Sequence, residues 1–479
     1  MKYGKFIVTI IFLGSFGLGA ELPEELINTN LSQGNQRTFR ALPNWSILIY
    51  MEADNNLAPF ATSNIQAMCK APSSPNVNVL VQWNKPSSRK THRLKIDRGM
   101  VFDVGSLNQP MGLVPAKELS DAIGWMKDRY PANHYMVILW NHGSGIDKMK
   151  RNWLRPLCFQ GQTAAKEDVN DSEERGILYN DTYNTYLNTD QMQKVFEDAM
   201  VKLNQPIDIV GMDACLMAMI EICYALKDST KILVGSENVE MGDGWNYGEI
   251  LTRLNTANGN LSPEELARVS VAKYQSLYIQ SDPMFTQSAI KIENIVQLKD
   301  CLNQVVLDLD QLKNLSAIVA SKLISGAVSS SICFQRDYVD IGNFLDKLYG
   351  LSVSYVAVYQ NFLHEVLYQK MVATLAALQR DIQMTKKALS NAVLATSSGI
   401  NILGASGLSI YLPNNFPATT LSSIYFQSVF AKKSLWSHFL TMFCRRDQSL
   451  ETKLISEQAV PLHIKDQEIS DFWQTKLQE

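Results

Sequence analysis

Two apolar runs, each stopping at a reactive side chain, constrain this chain of 479 residues more than any other feature. The first is Tyr135-Met-Val-Ile-Leu-Trp-Asn-His142-Gly-Ser-Gly145 and the second is Ile207-Asp-Ile-Val-Gly-Met-Asp-Ala-Cys215-Leu-Met217. Near-continuous runs of this kind are the pattern of strands buried on both faces, as in a parallel sheet covered by helices. In such sheets, sites form outside the carboxyl ends of the strands. His142 and Cys215 both stand at such ends. A base and a nucleophile brought together there make a cysteine hydrolase the first chemistry to test.

Other segments extend the pattern. Trp45-Ser-Ile-Leu-Ile-Tyr-Met51, Asn76-Val-Asn-Val-Leu-Val-Gln-Trp83 and Lys231-Ile-Leu-Val-Gly235 read as further strands. Arg93–Asp97 and Met100–Val104 flank Arg98-Gly99, which predicts a hairpin. Residues 116–129 carry apolar positions at helical spacing and stop before Pro131. Met192, Val195, Phe196, Ala199, Met200 and Leu203 form the apolar stripe of another helix. Strands alternating with helices predict an α/β fold with a mainly parallel sheet flanked by helices. From about residue 262 the character changes. Ser262-Pro-Glu-Glu265 is a capping box with Pro at the first helical position, and residues 290–395 are mostly helical in pattern. Gly407-Leu-Ser-Ile-Tyr-Leu-Pro413 returns to a strand.

Composition narrows the classes. Hydrophobic residues make up 46% and charged residues 19%, which fits a globular chain with a sizeable core. A net charge of −3 offers no electrostatic reason to bind nucleic acid or an anionic membrane. Lys2 and Lys5 precede an apolar stretch, Phe6–Phe16, followed by Gly17, Gly19, Ala20 and Glu21. That order is a secretory signal peptide with cleavage after Ala20, and the run is short for a membrane span. An uncleaved apolar anchor is the alternative. The expected organisation is a signal peptide over 1–20 and a linker or pro-segment over 21–43. A catalytic domain follows over 44–260, then a helix-rich C-terminal region over 261–479. The seven cysteines form no C-x-x-C pair, so zinc and redox motifs are not indicated. An odd count leaves at least one thiol outside any internal disulfide set, and Cys215 is the natural candidate.

A cysteine acts as its thiolate, so it needs a base or a positive field nearby, and histidine suits that role near neutral pH. Acyl transfer also needs donors for the developing oxyanion. The backbone N–H groups of Gly143 and Cys215 are the candidates. Asp213 and Cys215 alternate on one strand and project to the same side. A carboxylate there would not lower the thiol's pKa. It suits the floor of a pocket for a cationic side chain, which it can bind bidentately when that is arginine. The alternative is that Asp213 caps a helix running from Leu216.

These residues resemble the clostripain family, bacterial cysteine endopeptidases of clan CD with a caspase-like fold. The resemblance rests on Trp45–Leu57, Leu139-Trp-Asn-His-Gly-Ser-Gly145, Met212-Asp-Ala-Cys-Leu-Met217, Gly235–Tyr247 and Gly407–Pro413, in consistent order. It implies protein or peptide substrates cut after Arg or Lys, with His142 and Cys215 as the dyad. It further implies that Asp213 binds the P1 side chain, with Asp243 near the same pocket. Relatives are often activated by a cut between the His and Cys strands. Lys148, Lys150, Arg151 and Arg155 lie in that interval and are the candidate processing sites. Some relatives need calcium. Asp168, Asp171, Glu173 and Glu174 offer oxygen ligands but have no fixed loop spacing, so the metal stays undecided. This chain has Glu237-Asn238 where many relatives carry paired acids. The expectation is an exported monomer, off the membrane after signal cleavage, whose chemistry requires no cofactor. A latent or inactive secreted binding protein on the same scaffold is the runner-up. A hydrolase or transpeptidase for non-protein amides is the third reading.

Overall fold

The computed structural model describes residues 27–28, 41–146, 149–150, 173–174, 176–335, 337–359, 365–413 and 425–444. The expected signal peptide lies outside them. So do Lys148, Arg151 and Arg155 of the basic cluster and Asp168 and Asp171 of the acidic stretch.

The molecule is built on one sheet of ten strands. In chain order these are β1 (Ile27–Asn28), β2 (Trp45–Met51), β3 (Val77–Trp83), β4 (His92–Asp97), β5 (Met100–Asp103), β6 (His134–Trp140), β7 (Ile207–Asp213), β8 (Thr230–Gly235), β9 (Thr286–Lys291) and β10 (Val393–Ser398). Their spatial order is β1-β5-β4-β3-β2-β6-β7-β8-β9-β10. The central five, β3-β2-β6-β7-β8, run parallel. Every residue of β2, β3 and β7 is buried, which is why their sequences are continuous apolar runs. The β4–β5 hairpin forms at the expected dipeptide: Arg98 and Gly99 both take positive φ, 49° and 73°, as a tight two-residue turn requires.

Helices cover both faces, and two separate apolar cores result. On one face lie α1 (Ala58–Cys69), α5 (Tyr247–Thr256) and α6 (Pro263–Tyr278). On the other lie α2 (Pro115–Arg129), α3 (Thr189–Leu203), the short α4 (Ile220–Ala225) and the C-terminal helices α7 (Ile295–Leu315), α8 (Ala317–Ser329), α9 (Ile341–Tyr359) and α10 (Glu365–Ala392). The caps follow the sequence. Ser262 and Glu265 form a reciprocal capping box on α6, as Asn188 and Gln191 do on α3. Asn204 ends α3 in the left-handed conformation. No helix among the described residues is long and apolar enough to cross a membrane.

Two pairings cross the expected boundaries. Ile27–Asn28, inside the expected linker, pair with Val101–Phe102 at the sheet edge. The C-terminal region is also not a body packed beside a finished sheet. Its β9 joins that sheet antiparallel to β8, β10 joins antiparallel to β9, and its helices α7–α10 pack into the same core as α2 and α3.

Glu221 on α4 shows how the halves are joined. Its Oε1 accepts from the Tyr411 N–H at 2.9 Å and from the Tyr425 hydroxyl at 3.3 Å. Burial pushes this carboxyl up to about 7. A carboxyl whose folded value is raised keeps its proton in the fold, so its contribution is complete below the unfolded value near 4 and is lost as pH rises through about 7. Wild-type stability is therefore expected to fall between pH 4 and pH 8, with up to roughly 3 kcal/mol of the fall coming from this group. Glu221→Gln should flatten the dependence in urea unfolding across that range; an unchanged slope would refute the assignment.

Candidate active site

The site is set by strand register. Met51 of β2 lies beside Trp140 of β6, and Trp140 lies beside Asp213 of β7, so three buried strands end flush. Two residues beyond β6 comes His142, and two beyond β7 comes Cys215. Both line one narrow cavity of about 20 Å³ with Leu57, Asp213, Glu240 and Gly244.

The histidine turn is clamped on all sides. The Asn141 side chain donates to the Glu52 carbonyl at the end of β2 and exchanges bonds with the backbone of Tyr179 at 2.8 and 3.1 Å. The Ser144 N–H donates to the Gly176 carbonyl at 3.0 Å, and the Tyr338 hydroxyl donates to the Ser144 carbonyl at 2.6 Å. A Cβ at Gly143 would stand 2.4 Å from the Cys215 carbonyl oxygen, so only glycine permits the His and Cys loops to approach this closely. Beneath the turn, Glu52 is buried and pushed up to about 8 by desolvation, and its Oε1 accepts from Asn84, Asn180 and the Asp54 N–H.

His142 Nε2 lies 2.7 Å from Asn56 Oδ1. An amide oxygen can only accept, so Nε2 carries the proton and Nδ1 keeps the lone pair. Asn56 thereby selects the tautomer and restrains the ring.

Cys215 sits on a sharp turn. Leu216, directly after it, has φ +65°, a conformation that costs a branched residue about 1–2 kcal/mol. The turn is held by bonds from the Leu216 N–H to the Asn238 carbonyl at 3.0 Å and from the Ala218 N–H to the Ser236 carbonyl at 2.9 Å. The Glu240 N–H points at Cys215 Sγ from 3.3 Å.

Asp213 is not a helix cap. The next helix starts only at Ile220, with Met219 as its cap residue, because the turn at Leu216 interrupts the chain. The Asp213 carboxyl is buried. It accepts from the Tyr247 hydroxyl at 2.6 Å and from the Trp245 N–H at 3.3 Å. Burial raises its pKa, and these donors partly oppose the rise. Asp243 is exposed on the same loop and is not among the residues that line the cavity; its carbonyl accepts from Asn64 at 2.8 Å. At about 20 Å³ the cavity is smaller than an arginine side chain.

Of the processing candidates, Lys150 lies in a two-residue strand, Met149–Lys150, paired antiparallel with Glu173–Glu174. Among the described residues no group of three or more His, Cys, Asp or Glu side chains could hold a metal ion. Two contributors escaped the sequence reading. Asn56 stands 86 residues from His142 along the chain, and Glu240 is an acid in a polar loop that only the fold buries.

The comparisons with known proteins point the same way. The model of the clostripain family matches residues 49–165 and 160–443. Clostripain from Hathewaya histolytica is 24% identical over 293 residues, covering 54% of this chain and 52% of its own; the chain thus spans about half the length of that curated relative. Among solved structures, a secreted C11 cysteine protease from Bacteroides thetaiotaomicron in complex with an irreversible peptide inhibitor superposes with a TM-score of 0.54 at 16% identity, over 82% of this chain and 99% of that one. An inactive zymogen C11 protease from Parabacteroides distasonis does so with a TM-score of 0.54 at 17% identity, over 82% and 98%. The sheet topology is therefore the caspase-like fold of those proteases, and the chain belongs to the clostripain family.

Proposed function

We propose that this protein is an exported cysteine endopeptidase that cuts after Arg or Lys and is made as a latent precursor. One observation carries the reading: His142 and Cys215, from adjacent parallel strands, share a cavity whose wall includes the buried carboxyl of Asp213. Membership of a cysteine protease family supports it.

In this reading His142 Nδ1 takes the thiol proton and Cys215 Sγ attacks the scissile carbonyl carbon. The N–H groups of Gly143 and Cys215 receive the developing oxyanion. The C–N bond breaks as His142 returns the proton to the leaving amine, and a thioester remains. Water activated by the same histidine then releases the acyl product. This chemistry needs no cofactor. Calcium would have to act structurally, and EDTA treatment tests that role for Asp168, Asp171, Glu173 and Glu174.

The narrow cavity favours latency. Cleavage at Lys148, Lys150, Arg151 or Arg155 would free the interval between the two dyad strands and let the pocket open. A relative described as an inactive zymogen supports this ordering.

Three outcomes follow. Cys215→Ala should abolish turnover of Arg-P1 and Lys-P1 fluorogenic peptides, and mass spectrometry should show the uncut chain in this variant against a cut between 148 and 156 in the wild type. Turnover retained by the variant would overturn the assignment. Asp213→Asn should lower the kcat/KM ratio for Arg-P1 over norleucine-P1 peptides by roughly 30-fold or more, the cost of about 2 kcal/mol for losing a charged partner. An equal ratio would remove Asp213 from the pocket. Asn56→Ala should lower kcat by about tenfold to a hundredfold, within the range of positioned acid–base catalysis, with little change in KM. Asn56→Asp, which keeps the acceptor, should recover activity and move the lower limb of the pH profile upward by stabilising the protonated imidazole.

A further inference from the structure

Glu240 is not accounted for by the dyad or by Asp213. The residue is 3% exposed and lines the same cavity; its Oε2 has no hydrogen bond of normal geometry, although the Trp245 side chain faces the carboxyl and favours its charged form. Oε1 has only a long contact, 3.5 Å, from the Gln287 amide. Asp213 and Glu240 line this one cavity together, and each carboxyl influences the titration of the other.

Among the described residues, no lysine or arginine lines the cavity. Asp213 comes from β7, and Glu240 and the exposed Asp243 come from the 236–246 loop. Tyr247 faces the pair from α5, Tyr274 and Tyr278 face it from α6, and Cys215 lies alongside. His142 lines the cavity as well. Desolvation raises both carboxyls, and Glu240 rises further because it faces the charge of Asp213. Two adjacent buried carboxylates cannot both ionise cheaply, so the pair keeps one proton, bridging them.

We propose that Asp213 and Glu240 together form the receptor for the P1 cation, and that a Lys or Arg side chain entering the cavity displaces their shared proton to solvent. The empty pocket then carries one negative charge and the occupied pocket two, matched to a guanidinium or ammonium that replaces the proton as bridge. Binding of basic substrates is thereby linked to pH, and Glu240 is a second determinant of specificity. The inference rests on the basic-P1 reading of this cavity.

The test is calorimetry of peptide binding to the full-length Cys215→Ala protein after proteolytic opening of the 147–172 interval, in two buffers of different ionisation enthalpy. Removing the thiol takes it out of the proton count. An Arg-P1 peptide should release about one proton more than a norleucine-P1 peptide, a comparison that cancels any contribution from His142. Its affinity should rise by up to about tenfold per pH unit while the pair still holds its proton. Adding Glu240→Gln should abolish the extra proton release and weaken Arg-P1 binding by at least about tenfold relative to norleucine-P1 binding. If that variant does not fold, the pH dependence of the Cys215→Ala protein alone decides. A preference for Arg-P1 over norleucine-P1 without extra proton release or pH dependence would overturn the shared-proton receptor and leave the basic-P1 reading standing. Equal affinity for the two peptides would overturn both.

Discussion

The in-register ending of three parallel strands is the constraint on which the site depends. Met51, Trp140 and Asp213 stand side by side, so the segments that follow them leave the sheet at one edge and one height. Asn56, His142 and Cys215 are then separated by only a few residues of turn from a rigid ladder. A slip of one residue in either pairing would turn every side chain of that strand to the opposite face. Because β2, β3 and β7 are buried throughout, such a slip would also disturb both cores at once.

The ladder aims the chain, and the turns need further support. Much of the polar burial in this molecule is spent there. Glu52, Asn84, Asn141, Asn180 and Ser144 are all buried and bonded to one another or to backbone around the histidine turn. Such networks hold when their members are satisfied. The Oε2 of Glu240, like the Oε2 of Glu221 and the Oε1 of Glu237, has no such partner. A buried acceptor without a donor costs about 1–3 kcal/mol, and the backbone N–H of Glu240 points at Cys215 Sγ.

The parts of this arrangement readable in the chain were those that depend on local pattern. The apolar runs marked β6 and β7, the Arg98-Gly99 turn marked the hairpin, and Ser262 and Glu265 marked a helix start. What escaped depends on distant contacts. Asn56 lies in a polar stretch whose meaning appears only when His142 arrives from β6. Glu240 reads as a solvated loop acid until α6, β9 and the Cys215 turn enclose it. The helix cap stayed open as the alternative for Asp213, because nothing local announces that Leu216 adopts a left-handed conformation. The strand β9, Thr286-Gln-Ser-Ala-Ile-Lys291, is too polar to advertise that it extends a buried sheet, and the C-terminal region therefore read as a separate body.

The two-residue pairing of Met149–Lys150 with Glu173–Glu174 closes the base of the interval between β6 and β7. A backbone cut beyond that pairing divides the molecule between its two central strands, leaving the histidine on one chain and the cysteine on the other. The fragments would be joined along a full backbone ladder and two shared cores, an interface of the kind found inside a domain. Neither fragment holds all the strands of that sheet, so any such cut would have to follow folding. A chain cut there would, once denatured, recover only by a second-order association that slows on dilution, whereas the uncut chain refolds at a rate independent of its concentration.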